Sequence, residues 1–386
     1  MKRAGGRLLL VGGGHAHLQV LEAIAAGRIT AAEVTLVSAS ERQIYSAMVP
    51  GFIEGRYTLE QIAIDLRLLA RRLGAHFREA QVTRIDGLRR IAALDDGTTL
   101  PYDVASVAIG GAPAGGDLPG VRQFAKAVKP LPRVAELKEA LTAAAAAGNP
   151  EPLQVIVVGA GAAGVEVALT ARALLDRLGA NRSIISLVES THTPLRDRSL
   201  AAQEEAEAAL KRGEITLRLS TAVEEVGANH VRVTGGRVIP ADIVIWAAGT
   251  TAPALFRASG LPTDARGYLL VDDSLAVPSC PGLYGAGDAV SLESAPKTPK
   301  SGVQALRQGP VLMRNLALAL GATPPGPAGP GAARFRPQRR ALALLNCGNG
   351  SAIFSYGGFA ATGGWAMTLK DWVDRRFVRR FQRLAV

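Results

Sequence analysis

Twice in this chain a short apolar run breaks into glycines and resumes as an amphipathic stretch: RLLLVGGGHAHLQVL from Arg7 and LQVIVVGAGAAGVEVAL from Leu153. A buried strand that ends in a glycine turn and opens a helix is the entry of a β-α-β unit, whose parallel strands need helices over both sheet faces. All-helical and purely antiparallel folds are excluded for these stretches. The first unit continues through a helix over about 15–27 to a strand at 33–37 (EVTLV), and the second through a helix over 162–178 to a strand at 183–188 (SIISLV). The glycine turns of the two units, at Gly12 and Gly159, lie 147 residues apart, so the chain reads as α/β with two Rossmann-like dinucleotide-binding domains, not as a solenoid.

In the second unit Gly159, Gly161 and Gly164 form a complete G-x-G-x-x-G between strand and helix. The first glycine allows the tight turn, the second lets backbone approach a pyrophosphate, and the third lets helix pack on strand. The phosphates would sit at the helix N-terminus, where free N–H groups and the positive dipole end meet them. Glu189 follows Gly164 by 25 residues, at the end of the next strand, where a carboxylate reads ribose hydroxyls and repels a 2′-phosphate. NADH is therefore expected over NADPH.

The first turn has Gly12 and Gly14 in the same places but His17 where the third glycine would fall. At about 100° per helical residue, His15 and His17 point roughly 200° apart and cannot share a metal, so no metal site is expected. His15 is placed near the bound pyrophosphate and His17 at the helix–sheet contact. The next strand ends in Ser38-Ala39-Ser40-Glu41 with no acid at the usual place, which leaves ribose recognition to Ser38 or Glu41. A third motif, Gly285-Ala286-Gly287-Asp288, sets a carboxylate beside open backbone. Asp288 could cap a helix, or accept from the ribityl hydroxyls that FAD has and NAD lacks.

Strands at Val82–Asp86 and 104–109 precede a glycine-rich passage at 110–116, and a strand at Ile243–Trp246 precedes another at 247–250. These passages bracket the second unit as an insertion in the first. The domains expected are 1–116 with 268–320 for FAD, 117–267 for NADH, a Pro/Gly linker at 321–331, and a small C-terminal α+β unit at 332–386. The start MKRAGGRLLLV is too short for a secretory leader core, and no run approaches the roughly 18 apolar residues of a membrane span, so a cytoplasmic protein is expected.

The quoted motifs resemble the two-domain flavoproteins of the pyridine nucleotide-disulfide oxidoreductase superfamily over about residues 7–320. GGGHAH at 12–17, YSAMVPGFIEGRY at 45–57 and PKTPKSGVQALRQGPVLMRNL at 296–316 look like the type II NADH dehydrogenase-like branch, closest to the subgroup found fused to selenide, water dikinase. That subgroup reads close to YSGMLPG where this chain has Ala47 and Val49, and no kinase domain is expected here. The resemblance implies FAD contacts from Gly12, Gly14, Gly111, Gly287 and Asp288, and puts Gly302 and Val303 at the isoalloxazine ring. His15, Ser38, Val82 and Gly110 complete the FAD set. NADH falls to Gly159, Gly161, Gly164, Glu189 and Gly249, with Glu166 as the acidic residue near the nicotinamide. Disulfide reduction and sulfide oxidation both need paired cysteines, whereas Cys280 and Cys347 stand 67 residues apart and are read as buried.

The excess of 44 Lys and Arg over 33 Asp and Glu raises a nucleic acid or a membrane surface as partner. In the tail, Trp365, Leu369, Trp372, Val373, Phe377, Phe381 and Leu384 recur at three- and four-residue steps, with Lys370, Arg375, Arg376, Arg379, Arg380 and Arg383 between them. Such a helix suits a bilayer interface at 365–386, or else packing on its own chain or in a homodimer. No nucleic-acid partner is expected. The function expected is an FAD-dependent oxidoreductase that takes hydride from NADH and passes electrons to a quinone, peripheral on the inner face of the cell membrane. An NADH-dependent reductase of another redox protein, or an NADH-sensing flavoprotein with little turnover, is the alternative.

Overall fold

Both glycine turns leave the central strand of a five-stranded parallel sheet in the computed structural model, which describes residues 5–129, 133–147, 150–321, 331–338 and 340–385. In the first sheet the spatial order is Leu283–Gly285, Val104–Val107, Arg7–Val11, Glu33–Ser38 and His76–Glu79. Leu9 stands opposite Thr35 on one side and Ala105 on the other. Leu8 to Val11 are buried without alternation, as a strand covered on both faces requires. The strand order reverses at Arg7–Val11, which opens a crevice beyond its carboxyl end, where parallel α/β sheets bind ligands.

The second sheet has the order Ala125–Ala127, Ile243–Trp246, Gln154–Val158, Ile184–Val188 and Thr216–Arg218. Leu283–Gly285 closes the first sheet only after the second has been built, so the second sheet is an insertion. The outgoing and returning passages meet as an antiparallel ribbon that pairs Ala112 with Thr251 and Pro113 with Thr250. The strand expected over 104–109 stops at Val107, where the chain turns toward this ribbon.

Helix His15–Ala25 buries Ala16, His17, Leu18, Val20, Leu21 and Ala23, and packs against the long helix Gly302–Ala319. The C-terminal unit is an antiparallel meander of Ala343–Asn346, Ala352–Tyr356 and Phe359–Gly363, followed by helix Gly364–Ala385. Residues 322–330 of the expected linker lie outside the described residues.

The terminal helix corrects the face drawn from its sequence. Its buried side carries Ala366, Met367, Lys370, Asp374, Val378 and Phe381, and it packs on helices Leu66–Arg72 and His15–Ala25. Lys370, assigned to the solvated basic face, is 3% exposed, and of the apolar stripe Phe381 is covered by the protein while Trp365 and Trp372 are 53% and 58% exposed. Apolar spacing marks a stripe on a helix but not which neighbour covers it, and here a buried ion pair shares the covered side. Gln382 adds hydrogen bonds to the carbonyls of Glu60 and Ala63, and the Tyr57 hydroxyl donates to Asp371 at 2.6 Å.

Candidate functional site

At the first turn Gly12 has φ +89°, and a Cβ there would lie 2.6 Å from the Ala108 carbonyl oxygen. A Cβ at Gly14 would meet the same oxygen at 2.3 Å, and the Gly14 amide donates to it at 3.0 Å. The turn therefore lies flush on the end of the neighbouring strand. His15 opens the helix with its ring 5.5 Å from Tyr45 and 6.0 Å from Phe377 of the terminal helix. Burial pushes this imidazole down to about 4, so it is neutral at pH 7. His17 is fully buried against the sheet, where the sequence placed it.

Among the described residues, three buried polar atoms around this turn lack a hydrogen-bond partner: His15 Nε2, Asp288 Oδ1 and Gln304 Oε1. They come from the first turn, the Gly-x-Gly-Asp turn and the start of helix Gly302–Ala319, and that helix packs on both of the other segments. Asp288 caps no helix. Its other oxygen pairs with Lys129 Nζ at 3.2 Å, and the neighbouring Gly287 amide donates to Gln308 Oε1 at 2.6 Å. Buried polar atoms without partners are costly, and a ligand bearing both donors and acceptors would satisfy them. FAD, with its hydroxylated ribityl chain and polar ring edge, fits this set.

The remaining residues expected around FAD lie on several segments of the first unit. Ser38 ends its strand and accepts from the Ala80 amide through its carbonyl oxygen, and Val82 begins the next strand two residues further on. Glu41, the alternative to Ser38 for ribose, is engaged with Arg67 at 3.1 Å. Gly110 has open space where a Cβ would point, while Gly111 lies against Thr250 of the ribbon. Gly302 and Val303 open their helix behind Ser301, whose hydroxyl accepts from the Gln304 amide at 3.4 Å.

At the second turn a Cβ on Gly164 would stand 1.7 Å from the Gly159 carbonyl oxygen, so the third position admits only glycine. A Cβ on Gly161 would meet nothing within 4 Å, nor would one on Gly249, so the space facing the helix N-terminus is open. Glu189 accepts from the Ala160 amide at 2.7 Å and from the Thr191 amide at 2.9 Å. Partial burial works to raise its carboxyl, but these amides prevail and hold it below the usual carboxylate range. An ionised carboxylate thus braces the glycine turn from the strand end where a ribose would lie.

Glu166, one turn into the second helix, is 7% exposed and faces the C-terminal unit. Its Oε1 accepts from the Asn346 amide at 2.8 Å and lies 3.7 Å from Lys370 Nζ. Lys370 also pairs with Asp374 at 3.2 Å and donates to the Ala47 carbonyl at 2.9 Å. Burial raises both carboxyls, with Lys370 opposing it, and the lysine itself is held above its ordinary value by the two acids despite burial. The Asn346 side chain donates to Glu54 at 3.0 Å, which extends the network. Asn346 and Lys129 carried no motif, whereas Gln304 lies within the 296–316 segment quoted for the resemblance. The i, i+4 spacing of Lys370 and Asp374 was the one local signal. Cys280 and Cys347 are both buried thiols.

A family profile described as pyridine nucleotide-disulphide oxidoreductase matches residues 6–309. The demethylphylloquinone reductase NdbB of Synechocystis sp. is 29% identical over 294 residues, 73% of this chain and 71% of that protein. The type II NADH:quinone oxidoreductase NdhA of Mycobacterium tuberculosis is 24% identical, over 80% of this chain and 72% of its own. Among solved structures, NDH2 from Plasmodium falciparum in complex with NADH superimposes with a TM-score of 0.79 at 14% identity, covering 99% of both chains. The sulfide:quinone oxidoreductase of Aquifex aeolicus also gives 0.79, at 16% identity, over 98% of this chain and 92% of that one.

Proposed function

This chain belongs to the pyridine nucleotide-disulphide oxidoreductase family, and on that premise we propose that it binds FAD in the first unit and NADH in the second, and reduces a quinone-type acceptor. The observation that carries this reading is the pair of cradles. One is lined by the unpartnered atoms of His15, Asp288 and Gln304, and the other leaves open space over Gly161. The activities for which the Synechocystis and Mycobacterium relatives are named support the choice of acceptor and donor.

When bound, FAD would accept the hydride of NADH and return two electrons to the acceptor. The protein positions both nucleotides. Gly12, Gly14, Ser38, Val82, Gly110, Gly111 and Gly287 shape the FAD side, Asp288 accepts from the ribityl hydroxyls, and Gly302 and Val303 approach the ring. Gly159, Gly161, Gly164 and Gly249 face NADH, with Glu189 as the ribose acid. Glu166 is assigned to the nicotinamide side, and its charge is balanced by Lys370. The unit boundaries are placed near 116/117 and 267/268.

The exposed Trp365 and Trp372, with Arg376 5.6 Å from the Trp372 ring, support docking on the inner face of the cell membrane. Among the described residues no helix is long and apolar enough to cross a membrane. The test is steady-state NADH oxidation by the FAD-loaded protein with a soluble quinone. Turnover that requires quinone and is weaker with NADPH supports the reading, and a reduced protein that quinone does not reoxidise refutes it.

A further inference from the structure

The two glycine turns are built alike up to one position. Gly12 and Gly159 leave the strands, Gly14 and Gly161 precede the helices, and three residues later stand His17 and Gly164. In the second turn the Gly159 carbonyl comes so close to the helix that no Cβ fits at Gly164. In the first, a whole imidazole occupies that place without any exposure to solvent. Its Nδ1 lies 2.6 Å from the Gly12 carbonyl oxygen and its Nε2 lies 2.8 Å from Ser106 Oγ. A carbonyl can only accept, so Nδ1 bears the proton and Nε2 accepts from the Ser106 hydroxyl. Burial holds the ring's ionisation down to about 4, so this neutral tautomer persists at pH 7.

The ring therefore joins three segments. It fixes the carbonyl of the glycine turn, it belongs to the helix whose N-terminus faces the crevice, and it reaches strand Val104–Val107. That strand runs on to Ala108, whose carbonyl receives the Gly14 amide, and then to Gly110 and Gly111. In the second turn, direct helix-to-strand contact does this work. We propose that His17 is the positioning residue of the first dinucleotide turn: a single-tautomer imidazole that replaces the third glycine and holds the turn, the helix N-terminus and the Ser106 strand in the arrangement that receives the pyrophosphate of FAD. This rests on the reading of the first unit as the FAD site.

The test compares FAD and NADH affinity in the full chain, with FAD titrated into apoprotein and thermal melting as the fold control. His17→Ala is expected to weaken FAD by about tenfold or more, the scale of a lost buried hydrogen bond, while NADH affinity stays within about twofold. His17→Asn keeps a donor near the Gly12 carbonyl and is expected to recover most of the loss. Ser106→Ala, which leaves the ring in place, is expected to weaken FAD several-fold and to add little to His17→Ala. Unchanged FAD affinity in folded His17→Ala and Ser106→Ala proteins overturns the proposal, as does an equal loss of FAD and NADH affinity. If the unaltered chain binds no FAD, it is the assignment of the first unit that fails.

Discussion

Substituting alanine at Gly164 and at Gly161 separates two roles that the G-x-G-x-x-G pattern merges. At Gly164 the new Cβ would begin 1.7 Å from the Gly159 carbonyl oxygen, and real Cβ contacts essentially never fall below 3.0 Å. Helix Ala162–Arg177 and the turn must then separate by more than 1 Å along a face that includes Val165, Ala168 and Leu169, all buried. Overpacking of this kind costs about 1–3 kcal/mol, which for a unit of this size lowers Tm by roughly 2–10 °C. The displaced helix N-terminus also loses its aim at the pyrophosphate, so NADH affinity should fall by about a hundredfold. At Gly161 the Cβ meets no protein atom, so the melting temperature should hold while NADH affinity still falls, by about tenfold, because the methyl occupies the approach of the phosphates. The assays are differential scanning fluorimetry and NADH titration of the FAD-loaded protein. A Gly164→Ala protein that melts and binds NADH like the unaltered chain would refute the reasoning, since the clashing atom is backbone and not the far end of a flexible side chain.

Further outcomes follow from the buried charges and the surface. Lys370→Met should lower stability by about 3–5 kcal/mol in urea unfolding, because it leaves Glu166 and Asp374 buried without their cation; a loss under 1 kcal/mol would mean that water reaches the cluster. His15 and His17 ionise near 4 when folded and near 6.5 when unfolded, so between these values the unfolded chain binds protons that the folded one refuses. Stability of the apoprotein should therefore fall as pH drops from 6.5 to 4, by about 3 kcal/mol per histidine, and His15→Phe should remove about half of that slope. Asp288→Ala should purify with little flavin, as read from the ratio of visible to ultraviolet absorbance. Trp365→Ser with Trp372→Ser should abolish sedimentation with anionic vesicles without lowering the melting temperature, whereas unchanged sedimentation would remove this face from the membrane reading. Deleting 365–386 is a poor substitute, because it also strips Met367, Val378 and Phe381 from the core.

The two cradles were legible in the sequence because their constraint is local: a strand end, a turn that needs positive φ and a helix start lie within a dozen residues, and steric exclusion leaves only glycine at Gly164. The insertion was legible from two glycine passages, which pair as the ribbon Ala112–Thr251. Contacts between remote segments were not. Asn346 meets Glu166 across 180 residues, Lys129 meets Asp288 across 159, and neither pair carries a local pattern. The terminal helix was misread for a related reason. Lys370 and Asp374 neutralise each other on the covered side, and a pattern that treats every charge as solvated misplaces Lys370. His17 was placed at the helix–sheet contact, but its bond to Ser106 depends on a strand 89 residues away.

The central claim is that one chain holds FAD and NADH in adjacent cradles and passes electrons between them to a quinone. Its most direct test is the visible absorption spectrum of the purified, FAD-reconstituted protein, recorded anaerobically before and after NADH and again after a soluble quinone. Flavin bands that bleach with stoichiometric NADH and return on adding quinone are the expected result. A protein that FAD cannot reconstitute, or whose flavin bands NADH leaves unchanged, would contradict it.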